Sequence, residues 1–265
     1  MKQYLNLLQH ILDNGQSKDT RGIHGIKSTF GYQMRYDLRR GFPMLTTKKM
    51  PFKTMVRELL WFISGDTNVK TLQEQGIHYW DGFAEEDGDL GPVYGYQWRK
   101  WPDYQGGQID QLKNVIQEIK QTPDSKAMIV TAWNPAHTDK MRLPPCHMMF
   151  QFNVTKDKLR LQLYQRSADV FLGVPFNISQ YSLLLMMVAQ VTGLEAREFI
   201  HTIGDAHLYK NHLDAAKTQL KRQPKRQPLV RINPKIKNID DFKDTDFKLV
   251  NYEHHPHIKA DLVII

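Results

Sequence analysis

Gln165-Arg166-Ser167-Ala168-Asp169-Val170-Phe171-Leu172-Gly173-Val174-Pro175-Phe176-Asn177 is the stretch of this 265-residue chain on which its fold and its chemistry turn. It sets Arg166, Ser167, Asp169 and Asn177 beside apolar structure. Burying such groups is costly unless they pair with one another or with a ligand. Arg166 and Ser167 together suit a phosphate. Asn177 carries a donor and an acceptor on one amide, which suits the edge of a nucleobase. The alternative is a hydrogen-bonded turn with Asn177 as a helix cap, and the stretch alone does not separate the two.

Downstream, residues 176–192 read as a helix that is apolar nearly all round, which predicts burial. Upstream, Met148 to Val154 and Leu159 to Tyr164 read as a hairpin joined through Thr155-Lys156-Asp157-Lys158. Its second arm alternates Leu159, Leu161 and Leu163 with Arg160, Gln162 and Tyr164. Met128 to Trp133 is a buried-strand candidate. Residues 27–38 are strand-like, with Phe30, Tyr32, Met34 and Tyr36 on one side. Helical spacing predicts helices over 2–14, 108–122 and about 206–221, and another after Pro51 with the stripe Phe52, Met55, Val56, Leu59, Leu60 and Ile63. Strands and helices mix without a βαβ rhythm, which argues against a doubly wound sheet. Gly and Pro are scattered and no repeat or linker appears, so residues 1–265 read as a single domain.

The formal charge is +8, and much of the excess lies in 210–237. Nucleic acid, a membrane surface and small anions are all compatible with that sign. No zinc-ligand spacing, glycine-rich phosphate loop or aromatic RNA-binding signature accompanies the basic region, so RNA binding is unsupported and a solvated face is the simpler reading. The longest apolar run, Leu183 to Ala189, is far short of the ~20 residues a bilayer requires. Met1-Lys2-Gln3-Tyr4-Leu5 has no apolar signal core, and the expectation is a cytoplasmic chain.

Cys146 is the only cysteine, so no internal disulfide is possible. Such a residue is either a nucleophile or a small buried hydrophobe. In Leu143-Pro144-Pro145-Cys146-His147, two prolines hold the backbone and a strand follows, which places the thiol at an element end where it can face a cleft. A thiolate needs nearby positive charge or a base. His147 is adjacent, but neighbours on a strand point to opposite faces, so it is not automatically that base.

Pro144-Pro145-Cys146-His147 and Gln165 to Asn177 resemble the signature of the thymidylate synthase family. So do Arg57-Glu58-Leu59-Leu60-Trp61-Phe62 with Gly65-Asp66-Thr67-Asn68, and Leu90-Gly91-Pro92-Val93-Tyr94-Gly95 with Gln97-Trp98-Arg99. Gly204-Asp205 with His207-Leu208-Tyr209, and His255-Pro256-His257-Ile258-Lys259, complete the set, in order along the whole chain. The resemblance implies an α/β (α+β type) fold with a large mixed β-sheet flanked by helices. It also implies a homodimer joined sheet to sheet through a flat apolar face, and no metal. The implied reaction is reductive methylation of dUMP to dTMP with 5,10-methylenetetrahydrofolate as co-substrate.

By the same resemblance Cys146 attacks C6 of the uracil ring, and Arg166 lowers the thiol pKa and reaches the phosphate. Glu58 organises proton-shuttling waters, Tyr94 helps remove the C5 proton, Asn177 holds the pyrimidine edge, and His147 joins the polar network around it. His207 and Tyr209 take the ribose, and Ser167 and Arg21 the phosphate. Asp169 binds the pterin and touches the nucleotide side, with Trp80, Leu143, Leu172, Gly173 and Phe176 around the folate. Lys48 attracts the folate's glutamate tail, and Ile264 and Ile265 close as a lid.

Four departures from the family pattern stand out. The loop Asp19 to Gly25 around Arg21 is altered. Lys126 and Ala127 replace two arginines that cross to the partner's phosphate in the family. Phe83 replaces a tryptophan, and Pro51 replaces a position that is often His. Two rivals share the resemblance. A hydroxymethylase of the cytidylate type would want Asp in place of Asn177. A nucleotide- or RNA-binding paralogue would not need Cys146, Glu58, Tyr94 and Asn177 together.

Overall fold

A helix that is apolar on every side must be enclosed on every side, and the fold is arranged around one such helix. The computed structural model describes residues 1–19 and 25–263. In chain order these form α1 (Lys2–Asn14), β1 (Gln16–Lys18), β2 (Ile26–Asp37), α2 (Phe52–Ser64), α3 (Lys70–Gln73) and α4 (Gly95–Arg99). Then come β3 (Trp101–Pro102), β4 (Gln108–Ile109), α5 (Gln111–Gln121), β5 (Ile129–Thr131), β6 (His147–Thr155) and β7 (Lys158–Asp169). The last are α6 (Gly173–Thr192), β8 (Glu195–Tyr209), α7 (Leu213–Leu220), β9 (Leu229–Ile232) and β10 (Phe247–Val250). By length and composition α6 could cross a bilayer, yet 83% of its most apolar window is buried inside the protein.

One six-stranded sheet dominates, in the order β1-β2-β8-β7-β6-β5. Only β7 and β8 run parallel; the other neighbours are antiparallel. A parallel pair needs a crossover, and α6 supplies it. The β6–β7 hairpin turns at Lys156 and Asp157, with Lys156 at φ +57°. Leu159, Leu161 and Leu163 of β7 are fully buried, while Arg160 and Gln162 face the other way. The mixed sheet with flanking helices agrees with the fold class that the family resemblance implies.

Four sequence expectations change. Residues 206–209 are not helical: they end β8, where Ala206 to Tyr209 pair with Thr29 to Ile26 of β2. The helix there is only α7, because the ladder satisfies the backbone of 206–209 better than an isolated turn would. Helix α5 starts three residues later than the spacing predicts. Gln108 and Ile109 pair with Trp101 and Pro102, and Asp110 caps the helix by accepting from Lys113 N at 2.9 Å. Phe30 does not share the buried side of Met34 and Tyr36 but is 79% exposed; Gly31, at φ +80°, interrupts the strand beside it. The sheet face turned away from α6 is mixed rather than apolar. It carries Gln33 and Gln162, both donating to Thr202 Oγ1 at 3.0 and 3.2 Å, and an Arg35–Glu198 ion pair.

Gly204 sits where β8 passes close to β7. The ladder runs from Gln165–Ile203 to Ser167–Asp205, and a Cβ on Gly204 would lie 2.8 Å from Arg166 O and 3.1 Å from Tyr164 Oη. The first contact is with backbone, so something must move. Overpacking of this kind costs about 1–3 kcal/mol. Gly204→Ala should therefore lower the thermal midpoint by roughly 2–10 °C, as calorimetry will show; an unchanged midpoint would mean the two strands part freely here.

Candidate active site

At the carboxyl end of β7 the chain leaves the sheet and enters α6, and a cleft of about 390 Å³ opens at that junction. Ser167 and Asp169 reach it from β7, and Leu172, Gly173, Phe176 and Asn177 from the start of α6. Glu58 comes from α2, Tyr94 from the turn before α4, and Cys146 and His147 from the start of β6. His207 and Tyr209 come from β8, and Trp80 and Leu143 from the loops above. The residues picked from sequence thus converge on one cleft, with three exceptions among the described residues and two outside them. Arg21 and Ile264 are those two; Ile265, the other half of the expected lid, also lies outside the described residues.

The exceptions are Arg166, Lys48 and Lys126. Arg166 lies behind Cys146: its Nε donates to Pro145 O at 3.0 Å, an Nη2 hydrogen reaches Pro144 O at 2.7 Å, and its N–H donates to Cys146 O. Its guanidinium also lies 5.5 Å from the Trp133 ring. Lys48 is buried, with Nζ donating to Phe171 O at 2.6 Å and lying 3.8 Å from the Phe171 ring centre. Burial pulls its pKa down to about 8 against the opposing pull of Asp169. Lys126 is exposed, and only its backbone carbonyl is engaged, by Gln151.

Cys146 is half-buried, and its N–H donates to Tyr94 Oη at 3.0 Å. Burial pushes its thiol above the ordinary range. Arg166 and the Tyr94 hydroxyl act in the opposite direction, as the sequence reading expects of Arg166, but desolvation outweighs them. His147 is not the activating base. Burial, with His201 second, pulls its pKa down to about 3, and its Nδ1 is 2.6 Å from Tyr181 Oη. Its ring stacks on Tyr94 at 4.0 Å. Tyr94 holds a strained φ of +29°. The next residue is glycine because a Cβ there would lie 2.3 Å from Phe62 O of α2. Burial raises the Tyr94 phenol well above its usual range, so it stays protonated at neutral pH.

Glu58 accepts from Trp80 Nε1 and Gln180 Nε2, each at 2.6 Å. Desolvation nevertheless raises its pKa, the donors Trp80 and Gln180 and the nearby Tyr79 offsetting it only in part. Asp169 Oδ1 accepts from the N–H groups of Phe171 and Leu172 and so holds the turn that leads into α6; the helix itself starts after Leu172 with no side-chain cap, so Asn177 is not its cap. Asn177 lies inside α6, and no described residue hydrogen-bonds its amide. A Cβ on Gly173 would make ordinary contacts, with Asp169 Cβ at 3.8 Å and Asn177 Oδ1 at 4.0 Å, and Phe176, Leu172 and Trp80 line the same cleft. His207 Nδ1 pairs with Asp205 Oδ1 at 3.2 Å, and Lys18 with the other oxygen of the same carboxylate. Burial pushes Tyr209 up to about 12.

Several lining residues escape the sequence reading: Gln165, Gln180, Tyr79, Leu262 and Val263. Gln180 alone left a trace, as a polar residue in an otherwise apolar helix one turn after Asn177. The tail before Ile264 does wall the cleft, fastened where His212 Nε2 donates to Asp261 O at 2.8 Å. No cluster of three or more His, Cys, Asp or Glu placed for a metal occurs among the described residues.

Because Cys146 is the sole thiol, alkylation reads it alone. With the thiol raised by burial, modification by iodoacetamide should be slow at neutral pH and climb past the ordinary thiol pKa of ~8.5. A rate already level below about pH 8 would mean that Arg166 outweighs burial.

The cleft brings together the Cys146 thiol, the buried Glu58 carboxylate, the Asn177 amide and apolar walls. A family model described as thymidylate synthase matches residues 2–264, nearly the whole chain. This family acts on dUMP and uses methylenetetrahydrofolate as co-substrate. The chain belongs to the thymidylate synthase family and is an enzyme, a methyltransferase that makes dTMP.

Proposed function

We propose that the chain converts dUMP to dTMP through a covalent adduct between Cys146 Sγ and C6 of the uracil ring. The observation that carries this reading is the meeting of Cys146, Glu58, Tyr94 and Asn177 on one cleft. Cys146, as thiolate, adds to C6; the ring electron pair moves toward O4 and makes C5 nucleophilic. When bound, 5,10-methylenetetrahydrofolate supplies the one-carbon unit to C5 and then a hydride, and leaves as dihydrofolate. Tyr94 Oη, beside Cys146, helps move the C5 proton. Glu58, its raised pKa keeping both protonation states within reach, holds or releases a proton through water at the O4 side. Reversal of the Cys146 addition then frees the product.

Asn177 donates to O4 and accepts from N3–H of uracil, and no described residue hydrogen-bonds its amide. His207, its Nδ1 occupied by Asp205, turns Nε2 to the ribose hydroxyl beside Tyr209. Ser167, Arg166 and Arg21 take the phosphate. For the folate, the fit rests on the cleft's apolar walls Trp80, Leu143, Leu172 and Phe176, with Gly173 between them and Asp169 at the pterin. Lys48, buried against Phe171, would have to leave that contact to reach a glutamate tail. Ile264 completes the wall that Leu262 and Val263 begin. The protein is a cytoplasmic homodimer in this reading, and the uncovered sheet face, with exposed Phe30 and the Gln33–Thr202–Gln162 ladder, is the surface that pairs.

Incubation with dUMP and methylenetetrahydrofolate should release dihydrofolate, followed by absorbance, and a nucleotide of the mass of dTMP. A hydroxymethyl mass would overturn the methyl assignment in favour of a hydroxymethylase, and no product would favour a binding protein. Cys146→Ala should fold and lose all but a few per cent of the rate. Retained turnover would remove Cys146 as nucleophile.

Lys126 and Ala127 give a second expectation. If the phosphate site borrows this pair from the partner subunit, one charge is missing, and a charge-assisted hydrogen bond contributes ~1.5–3 kcal/mol. The variant Lys126→Arg with Ala127→Arg should lower the KM for dUMP about ten-fold with kcat nearly unchanged, because phosphate binding is nearly equal in ground and transition states. The gain should shrink in high salt. An unchanged KM would show that other basic groups already compensate.

A further inference from the structure

His201 lies on β8 beneath the cleft, fully buried, and touches no ligand position itself. Its Nε2 is 2.8 Å from Gln165 Oε1. Gln165 lines the cleft, is nearly fully buried, and sends its Nε2 to Ser167 O at 3.0 Å. A carbonyl only accepts, so Gln165 must present its NH2 to Ser167 and its own carbonyl to His201. His201 must then carry its hydrogen on Nε2, with Nδ1 bare. That bare nitrogen is buried and has no hydrogen-bond partner among the described residues. An unmatched buried acceptor is a cost that an apolar ring in the same place would avoid. The ring already packs beside Phe199, at 5.6 Å between centroids, so packing alone does not call for a histidine.

The segment that Gln165 braces is the end of β7. Arg166 N–H donates to Cys146 O on one side, and Gly204 passes close to Arg166 O on the other. Gln165 is the side chain that ties this strand end to its own next residue but one, and His201 is the group that fixes which way the Gln165 amide faces.

We propose that His201 is a positioning residue: by donating from Nε2 to Gln165 it locks the amide that holds the Arg166–Ser167 backbone in its substrate-binding shape. The proposal rests on the reading above that Arg166 and Ser167 bind the dUMP phosphate. His201 stays neutral across the working pH range, because burial pulls its pKa down to about 3, so the Nε2–H tautomer persists. With the donor gone, the Gln165 amide is free to flip and the phosphate-binding strand end loosens, while Cys146, Glu58 and Tyr94 keep their contacts.

The test compares His201→Phe, which keeps a ring and removes the donor, with His201→Gln, whose amide reaches the position of Nε2. His201→Phe should raise the KM for dUMP about ten-fold and change kcat by less than about two-fold, and His201→Gln should restore most of the loss. If His201→Phe does not fold, His201→Asn, too short to reach Gln165, takes its place. In a Gln165→Leu background, adding His201→Phe should change KM by less than about two-fold, since both act on one device. An unchanged KM in the folded single variant, or losses that multiply independently in the double variant, overturns the proposal. The wild type in the same assay separates the two readings: if it forms no dTMP, the proposed function fails. The ring is then read directly by 15N resonance, and a hydrogen on Nδ1 rather than Nε2 overturns the role of His201.

Discussion

Enclosure of α6 is the constraint from which the rest follows. Its residues are buried nearly all round, so other elements must pack against every side of it. On one side lies the sheet, where Tyr181 stacks on Phe199 of β8; on another lies α2, whose Glu58 and Met55 O meet Gln180. The polar exceptions on so apolar a helix, Asn177 and Gln180, therefore cannot reach bulk water. They are held at the one gap in the enclosure, where β7 ends and the cleft begins. The parallel crossover and the site are two results of the same packing requirement.

Burial also sets the chemistry. Glu58 and Cys146 are both pushed toward their neutral forms, and in each case the nearby donors or the nearby cation reverse only part of the shift. In each group burial weighs against the charged form, and a ligand of opposite charge would weigh for it. The Asn177 amide, which no described residue hydrogen-bonds, is left for a ligand or water in the cleft to satisfy.

Much of this was legible in the residues. The alternation of Leu159, Leu161 and Leu163, the stripe of α2 and the all-round apolarity of α6 each reflect a local periodicity that tertiary structure then used. The stretch from Gln165 to Asn177 raised a ligand site as one of two readings, because it placed polar groups beside apolar ones; the other, a turn with Asn177 as helix cap, was equally open. What stayed hidden depended on partners distant in sequence. Strand β8 presents His201, Asp205 and His207 toward the interior, which blurs its alternation, and its stability comes from β2 and β7 on either side. The displaced start of α5 needed the short pairing with Trp101 and Pro102. Gln165 opened the deciding stretch and still drew no role, because its meaning lies in His201, 36 positions away.

Two of the buried histidines, His147 and His201, have one more consequence. Imidazole is the side chain through which acidity most often enters a protein near neutrality. Here burial holds both His147 and His201 near a pKa of about 3. A mild acidification of the surroundings passes both rings by. The stacking of His147 on Tyr94 and the grip of His201 on Gln165 are insulated from the proton concentration around them, and that part of the interior works as a fixed frame rather than a sensor.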